Sequence, residues 1–482
     1  MLTACKPYQY LRLTGLLVAG MFLATACGFG SAAAPTTEKD TLMRQEAPKA
    51  EAPREMEAPA HAGEAEKPAE VTKEGYAPLP APTTTGVTAP LPASEFIDTD
   101  EMAAGGVKSD AAIAEPVVRQ AERLRAGEVD DNAQWDDYLL YRRQYRDQPV
   151  HDRDVSERYV IEVKDAQGIA VLDATVRIFI AGQQERREVY QAHTGANGQV
   201  LFHPLALNLP TGQVNSFQVE VQKNDLLEQF TLTRFNAQPS ASFSERWTVT
   251  LDTRRQANRL NLDVLFLVDS TGSMSDEINK IQSTIFDVSA RIDALPGQPD
   301  TRYGLVTYRD RGDAYVTRVY DFTPDVRDFS KNLNTMFADG GGDEPESLNE
   351  ALHAALHKVE WRSQDTVQLI FLIADAPPHL DYDQDYDYAV EMENAAQRGI
   401  KIFPIASSGL NEQGEYIFRQ LAQYTQGRFI FLTYAGPTNG GAPGDVTTHH
   451  VEDYSVENLD DLLVRLVKDE LAYQNPQLAG LR

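Results

Sequence analysis

The sequence predicts a multidomain chain. Its largest part is an α/β domain with a doubly wound, Rossmann-like parallel sheet, preceded by an antiparallel β-sandwich and a disordered N-terminal tether. Three observations carry this. Across residues 258–474 short apolar runs alternate with amphipathic stretches, as strands and helices do around a parallel sheet. Across 155–252, β-rich runs follow one another with turn residues between them. Across 27–110 no apolar period survives.

In chain order, Lys6 and Arg12 precede an apolar stretch from Leu13 to Ala24 that is too short to span a bilayer comfortably, so residues 1–26 read as a targeting segment. The run Leu23-Ala24-Thr25-Ala26-Cys27-Gly28 places small residues before a cysteine. It resembles a bacterial lipoprotein signal, which implies lipidation of Cys27; an ordinary secretory signal cut nearby is the alternative. Gly28 after the cysteine, by the same resemblance, implies sorting to the outer membrane. The only other cysteine is Cys5, so the body of the chain has no disulfide framework and no zinc–thiolate site.

Residues 27–110 are rich in Ala, Pro, Glu and Thr, with Glu46-Ala-Pro, Glu51-Ala-Pro and Glu57-Ala-Pro at short spacing. They read as an extended linker. Residues 111–150 read as helical: Val118, Ala121, Leu124 and Arg125 give weak periodicity, and Trp135 to Tyr145 is a stronger amphipathic stretch whose aromatics should pack on a neighbouring domain. In the β-rich region, Asp165-Ala-Gln-Gly168 and Ala196-Asn-Gly198 supply turns. The order KDAQGIAVLDATVRIF…HTGANGQVLF resembles the carboxypeptidase regulatory-like, transthyretin-like sandwich, which implies a spacer or protein-contact role. The formal net charge of −28 argues against nucleic acid as a partner.

Strands of the α/β domain are expected at 263–268, 303–308, 315–320, 367–374, 401–406 and 428–433, and helices near 275–292, 325–336, 345–360, 387–398, 413–425 and 456–472. The first strand runs into Asp269-Ser270-Thr271-Gly272-Ser273. One carboxylate and two hydroxyls at alternate positions are small oxygen ligands of the kind Mg²⁺ takes; a helix cap fits the local motif equally. Two distant loops tilt the balance. The strand at 367–374 ends in Asp375, and Asp339-Gly-Gly-Gly-Asp343-Glu344-Pro345-Glu346-Ser347 precedes a helix, with Pro345 suited to the first turn. Acids beside several strand ends of one sheet belong where such sheets bind ligands.

With Asp269, Thr271, Ser273 and Asp375 in this order, residues 258–474 resemble the von Willebrand factor type A (VWA) domain and its metal-ion-dependent adhesion site (MIDAS). The resemblance implies metal ligation by Asp269, Thr271, Ser273 and Asp375. Where the family has a threonine in the second loop, counting back from the helix places Asp343. Three acids against one dication imply a site that holds its ion well and attracts acidic side chains less. Ser270, Glu344, Asp381 and Asp383 are expected beside these ligands or at the rim. The expected ion is Mg²⁺, with Ca²⁺ or Mn²⁺ as alternatives.

Other candidates carry less. Asp381, Asp383, Asp385 and Asp387 alternate, which fits a second cation or a solvated acidic rim. Arg311-Gly312-Asp313 spells an integrin-binding tripeptide, but its flanks read as structural. His379 and the pair His449-His450 read as surface residues. The expected function is non-enzymatic: a lipid-anchored envelope protein, membrane-bound through Cys27, that presents a metal-dependent site to a protein partner. A metal-stabilised structural protein and a subunit assisting an envelope enzyme or assembly machine are the alternatives. Catalysis lacks an assignable general base.

Overall fold

A computed structural model describes residues 123–182, 185–234, 243–254, 259–342, 344–436 and 442–478. The expected targeting segment with Cys27, the tether over 27–110 and Asp343 lie outside the described residues.

The described elements begin with β1 (Arg125–Val129) and α1 (Trp135–Gln144). Next come β2 (Glu157–Asp165), β3 (Thr175–Ile180), β4 (Glu188–His193), β5 (Gln199–Phe202), β6 (Ser216–Lys223), β7 (Leu226–Thr233) and β8 (Phe243–Leu251). The remainder alternates: β9 (Asn261–Asp269), α2 (Ile278–Asp293), β10 (Asp300–Tyr308), β11 (Thr317–Thr323), α3 (Val326–Leu333), α4 (Leu348–His357) and β12 (Thr366–Ala374). It closes with α5 (Tyr388–Gln397), β13 (Lys401–Ala406), α6 (Glu412–Tyr424), β14 (Phe429–Thr433), β15 (Ser455–Asn458) and α7 (Leu459–Gln474).

A mixed α/β fold results, built on an eight-stranded sheet of order β11-β10-β9-β12-β13-β14-β1-β15. β10, β9, β12, β13 and β14 are mutually parallel; β11 at one end and β1 near the other run antiparallel to them, and β15, antiparallel to β1, ends the sheet in the direction of the central strands. The central strands are apolar on both faces because both faces are covered. Side chains alternate across a strand: Leu262, Val264, Phe266 and Val268 of β9 enter one cluster with α2, α3 and α7, while Leu265 and Leu267 enter the other with α4, α5 and α6. β12 divides the same way, with Val367, Leu369, Phe371 and Ile373 on one side and Ile370, Leu372 and Ala374 on the other. Burying each large aliphatic or aromatic side chain is worth roughly 1.5–3 kcal/mol, so these two strands hold the layers together.

Three sequence expectations change. Residues 125–129 are a strand, not helix: β1 pairs antiparallel with both β14 and β15, burying Ala126 and Val129. Its local helical periodicity is weak and yields to a two-sided hydrogen-bonded ladder. Gly127 fits here because a Cβ would come within 2.6 Å of the Phe431 ring. The stronger stretch does form α1, and Trp135, Tyr138 and Tyr141 pack into the cluster of α4–α6, with the Arg419 guanidinium 3.8 Å over the Tyr141 ring. Secondly, the β-rich region forms two sheets, β5-β2-β8 and β4-β3-β6-β7, around one shared apolar cluster. β2 and β8 pair in parallel, from Glu157↔Phe243 to Asp165↔Leu251, where an all-antiparallel arrangement was expected. The long connection between β2 and β8 permits a crossover that sequence spacing does not exclude. Thirdly, the helix expected from Ser275 starts at Ile278; a 3-10 turn over Gly272–Asp276 precedes it.

The sheet's topology selects one place on its rim. From β9 the chain goes to β10 on one side and later returns to β12 on the other, so the strand order reverses between β9 and β12. Ligands of open α/β sheets bind at such a switch point, outside the carboxyl ends of the strands. β9 and β12 are in register with Val268 opposite Ile373. Asp269 and Asp375 therefore leave neighbouring strands within one residue of the same level.

Candidate metal centre

Asp269 is fully buried at the end of β9. Its Oδ1 accepts the Thr271 N–H at 2.9 Å and the Thr271 hydroxyl at 2.7 Å, and Thr271 Oγ1 lies 3.1 Å from Ser273 Oγ. The loop thus folds its two hydroxyls back over the carboxylate. Ser270 turns the other way: its hydroxyl donates to the Tyr308 carbonyl at 2.8 Å and contacts the Tyr315 hydroxyl.

The glycine-rich loop is clamped against this turn. Gly272 N–H donates to the Gly340 carbonyl at 2.9 Å, and Asp339 N–H to the Ser270 carbonyl at 3.1 Å. Gly340 and Gly341 have φ of +77° and +63°, a region L-residues rarely adopt. A Cβ on Gly340 would also collide with the Asp313 carboxylate, whose Oδ2 accepts the Gly341 N–H at 2.9 Å. Arg309, 1% exposed, ties the two loops together by donating to the Ser270 and Phe337 carbonyls and pairing with Asp339 at 3.2 Å.

The loop then delivers Glu346. Its N–H donates to the Pro377 carbonyl at 3.0 Å and its carbonyl accepts the His379 N–H at 3.1 Å, so the segment is bridged to the loop after β12. A Cβ on Gly341 would lie 2.9 Å from Glu346 Oε1 and 3.1 Å from Thr271 Cβ, which puts this carboxylate against the first loop. Glu346 is 2% exposed and Asp375 4%. Among the described residues, Asp269 Oδ2, Asp375 Oδ1 and Glu346 Oε2 are buried oxygens with no hydrogen-bond partner. None of these three acids forms an ion pair there.

The electrostatics follow. Burial pushes Asp269 up to about 6, with Asp310 adding to it and the Thr271 hydrogen bonds opposing it. Burial, then the Asp269 charge, pushes Asp375 up to about 7, with the Ser273 hydroxyl opposing. Burial and the charges of Asp269, Asp310 and Asp375 push Glu346 up to about 9. Three acids that resist ionisation through burial and through neighbouring acidic charges are what a dication relieves. The donor set, all carboxylate and hydroxyl oxygen, fits a hard cation such as Mg²⁺, Mn²⁺ or Ca²⁺.

Residues 263–434 match the family model described as von Willebrand factor A domain. This region is a VWA domain. The chain is 30% identical over 120 residues to the alpha-protein kinase vwkA of Dictyostelium discoideum, covering 24% of this chain and 19% of that one. It is 38% identical over 115 residues to von Willebrand factor A domain-containing protein 7 of Homo sapiens, covering 23% of this chain and 12% of that one. The chain therefore spans less than a fifth of either relative. Proximal thread matrix protein 1 from the mussel byssus aligns over 34% of this chain and 40% of its own at 14% identity, with a TM-score of 0.28.

Within the VWA domain the residues singled out in the sequence divide clearly. Asp269, Thr271, Ser273 and Asp375 come together at the switch point. Glu346, which reasoning from sequence passes over for Asp343, joins them; its signal was its place two residues before α4. Glu344 is exposed, with Oε2 3.5 Å from the Asn411 amide. Asp381 is exposed and accepts from His379 Nδ1 at 2.7 Å, which holds its carboxyl below the usual range. Asp383 is also exposed. The alternating acids are not gathered on one ion: Asp385 pairs with Arg311 and accepts from Asn349, and Asp387 caps α5 by accepting the Ala389 N–H.

The tripeptide at 311–313 is spent internally, with Arg311 on Glu350 and Asp385 and Asp313 on the glycine loop. Of the histidines expected at the surface, His450 is exposed, with its side chain at 38%, but His379 and His449 are not. His379 is 4% exposed, stacked on Tyr382 at 3.7 Å, with Nε2 3.4 Å from Asp310. The His449 side chain is 6% exposed and held by Glu415 at 3.2 Å. Each is drawn inward by a carboxylate from a different element, which neighbours in sequence cannot reveal.

Proposed function

We propose that the VWA domain binds one divalent cation, Mg²⁺ by preference, through Asp269, Ser273, Asp375 and Glu346, with Thr271 orienting the Asp269 carboxylate and completing the shell. The observation that carries this is the set of three buried, unpartnered carboxylate oxygens at the switch point. The dication would neutralise part of a cluster that has no basic partner among the described residues. Asp343, the ligand expected in this loop from the sequence, lies outside the described residues.

VWA domains commonly mediate protein–protein interaction, and we read this one as a non-enzymatic binding head. With Glu346 in the second loop, three carboxylates outweigh one dication. The bound ion is then a weak electrophile, and the face it presents stays negative. The favoured partner is a protein offering neutral or basic groups there rather than a free carboxylate. Around this head we place the β5-β2-β8 and β4-β3-β6-β7 sheets as a sandwich-like spacer, and Cys27 as a lipid anchor in a bacterial outer membrane. No helix among the described residues is long and apolar enough to cross a membrane.

Calorimetric titration of Mg²⁺ into the wild type and Glu346→Thr tests the reading. The account expects weaker Mg²⁺ binding and stronger acidic-peptide binding in the variant. Unchanged Mg²⁺ affinity, or weaker peptide binding, would refute it.

A further inference from the structure

Away from the strand ends, α4 carries His353 and His357, four residues apart, so both rings leave one face of the helix. Glu391 of α5 lies opposite and is 4% exposed. His353 Nδ1 is 2.8 Å from Glu391 Oε1, and His357 Nε2 is 2.8 Å from Oε2. One donor atom from each residue falls within 4.8 Å of the others. Two further groups orient the set: Asn394 Nδ2 donates to Glu391 Oε2 at 3.0 Å, and the Tyr386 ring stacks on His353 at 3.6 Å. Supporting contacts of this kind fix the ligands of metal sites.

We propose that His353, His357 and Glu391 form a second metal site, separate from the carboxylate centre and suited to a borderline transition cation such as Zn²⁺. Imidazole nitrogens suit Zn²⁺, Ni²⁺ and Cu²⁺, whereas all-oxygen sets suit Mg²⁺ and Ca²⁺. Two histidines at i and i+4 on a helix, with a carboxylate from a second element, make a three-ligand zinc set with a fourth position open.

The geometry is close to that needed. Ligands at 2.0–2.1 Å from a tetrahedral ion sit about 3.3 Å from each other, so the two 2.8 Å contacts open by roughly half an ångström. His357 closes the last turn of α4 and its side chain is 39% exposed, which gives the ring room to move and the ion a way in. The comparable group at Glu415 is arranged differently. His449 and His450 approach the same oxygen at 3.2 Å, and both carboxylate oxygens already accept the His450 N–H. That carboxylate is committed to the backbone and serves as a control. A cation bound by His353, His357 and Glu391 would pin α4 to α5, and α4 is the helix that follows Glu346.

The test is a Zn²⁺ titration of the full chain carrying Asp269→Asn, which removes the first acid of the carboxylate centre. The expected result is one Zn²⁺ equivalent in that background, weakened tenfold or more by His353→Ala and by His357→Gln with the circular dichroism unchanged, and unaffected by His450→Ala. Co²⁺ in place of Zn²⁺ should give the strong visible bands of a four-coordinate site, lost in the His357→Gln chain. Because His357 is part-exposed at a helix end, that variant keeps the test valid if His353→Ala unfolds. Absence of a Zn²⁺ equivalent in the Asp269→Asn chain, or one that His357→Gln leaves intact, would overturn the proposal and leave a pair of histidines hydrogen-bonded to a buried acid.

Discussion

β9 carries a fully buried aspartate at each end, and the two are handled in opposite ways. Asp263 receives Arg302 through two hydrogen bonds of 2.9 and 2.6 Å, Arg362 through its guanidinium at 2.9 Å, and the Arg362 N–H at 3.0 Å. Asp269, six residues on, has the Thr271 donors on one oxygen, the Tyr308 hydroxyl beside it, and no basic partner among the described residues. Other buried acids follow the first pattern: Glu157 with Arg234, Asp131 with Arg419, Glu470 with Lys401. Against these paired acids, three buried carboxylates gathered at one rim of one sheet have no basic partner among the described residues, which suits that rim to a cation from outside.

The largest effect that separates the two ends is on folding. Asp263→Ala leaves two guanidiniums around an emptied site and should cost about 3–5 kcal/mol, as breaking a buried pair does. Asp269→Asn, measured in EDTA by urea unfolding, should cost little or raise stability, because it removes a charge that nothing balances. Equal losses in the two variants would erase the distinction.

Next in size is stabilisation by metal. A ligand at a hundredfold excess over its Kd stabilises by about 2.7 kcal/mol. Mg²⁺ at that level should raise the melting temperature of the wild type and not of Asp375→Asn or Asp269→Asn. Asp263→Asn, if it folds, should keep its response to Mg²⁺.

The pH dependence is smaller and has a definite sign. Asp269, Asp375 and Glu346 hold their protons more tightly when folded, at about 6, 7 and 9. Each therefore contributes stability in full below its ordinary pKa near 4 and loses it as pH rises through the folded value. Metal-free protein should become less stable between about pH 4 and 9, and Mg²⁺ should offset the fall because binding needs the ionised forms. The Asp269→Asn and Asp375→Asn chains should show a flatter profile in EDTA. A profile that rises over this range would count against the cluster. The smallest effect is at Ser270, whose hydroxyl serves Tyr308 and Tyr315 rather than the cluster: Ser270→Ala should leave Mg²⁺ affinity within about twofold, at a cost near 1 kcal/mol in stability.

What the sequence discloses about this molecule depends on range. The runs 264–268 and 369–374 are apolar on both faces, which declares a doubly covered strand, and each is followed by an acid; both strands and both acids are where that pattern puts them. β1 was hidden because its partners lie some 300 residues away in sequence, and a ladder formed at that distance leaves no local trace beyond Ala126 and Val129. Glu346 was hidden by its neighbours. Glu344 and Glu346 are equal as letters, and only the bridge from Glu346 to Pro377 and Pro378 decides which of these two turns inward. The cluster of His353, His357 and Glu391 shows the same limit. The i, i+4 histidines are visible on α4, while the carboxylate they meet belongs to another helix.

The central claim is that the bare acids at the end of β9 and its neighbours hold a divalent cation. Calorimetric titration of Mg²⁺ into the full chain and into Asp375→Asn tests it most directly. The account predicts one Mg²⁺ per wild-type chain and loss of that binding in the variant, with the fold intact by circular dichroism. A wild-type chain that takes up neither Mg²⁺ nor Mn²⁺, or a variant that binds as the wild type does, would contradict it.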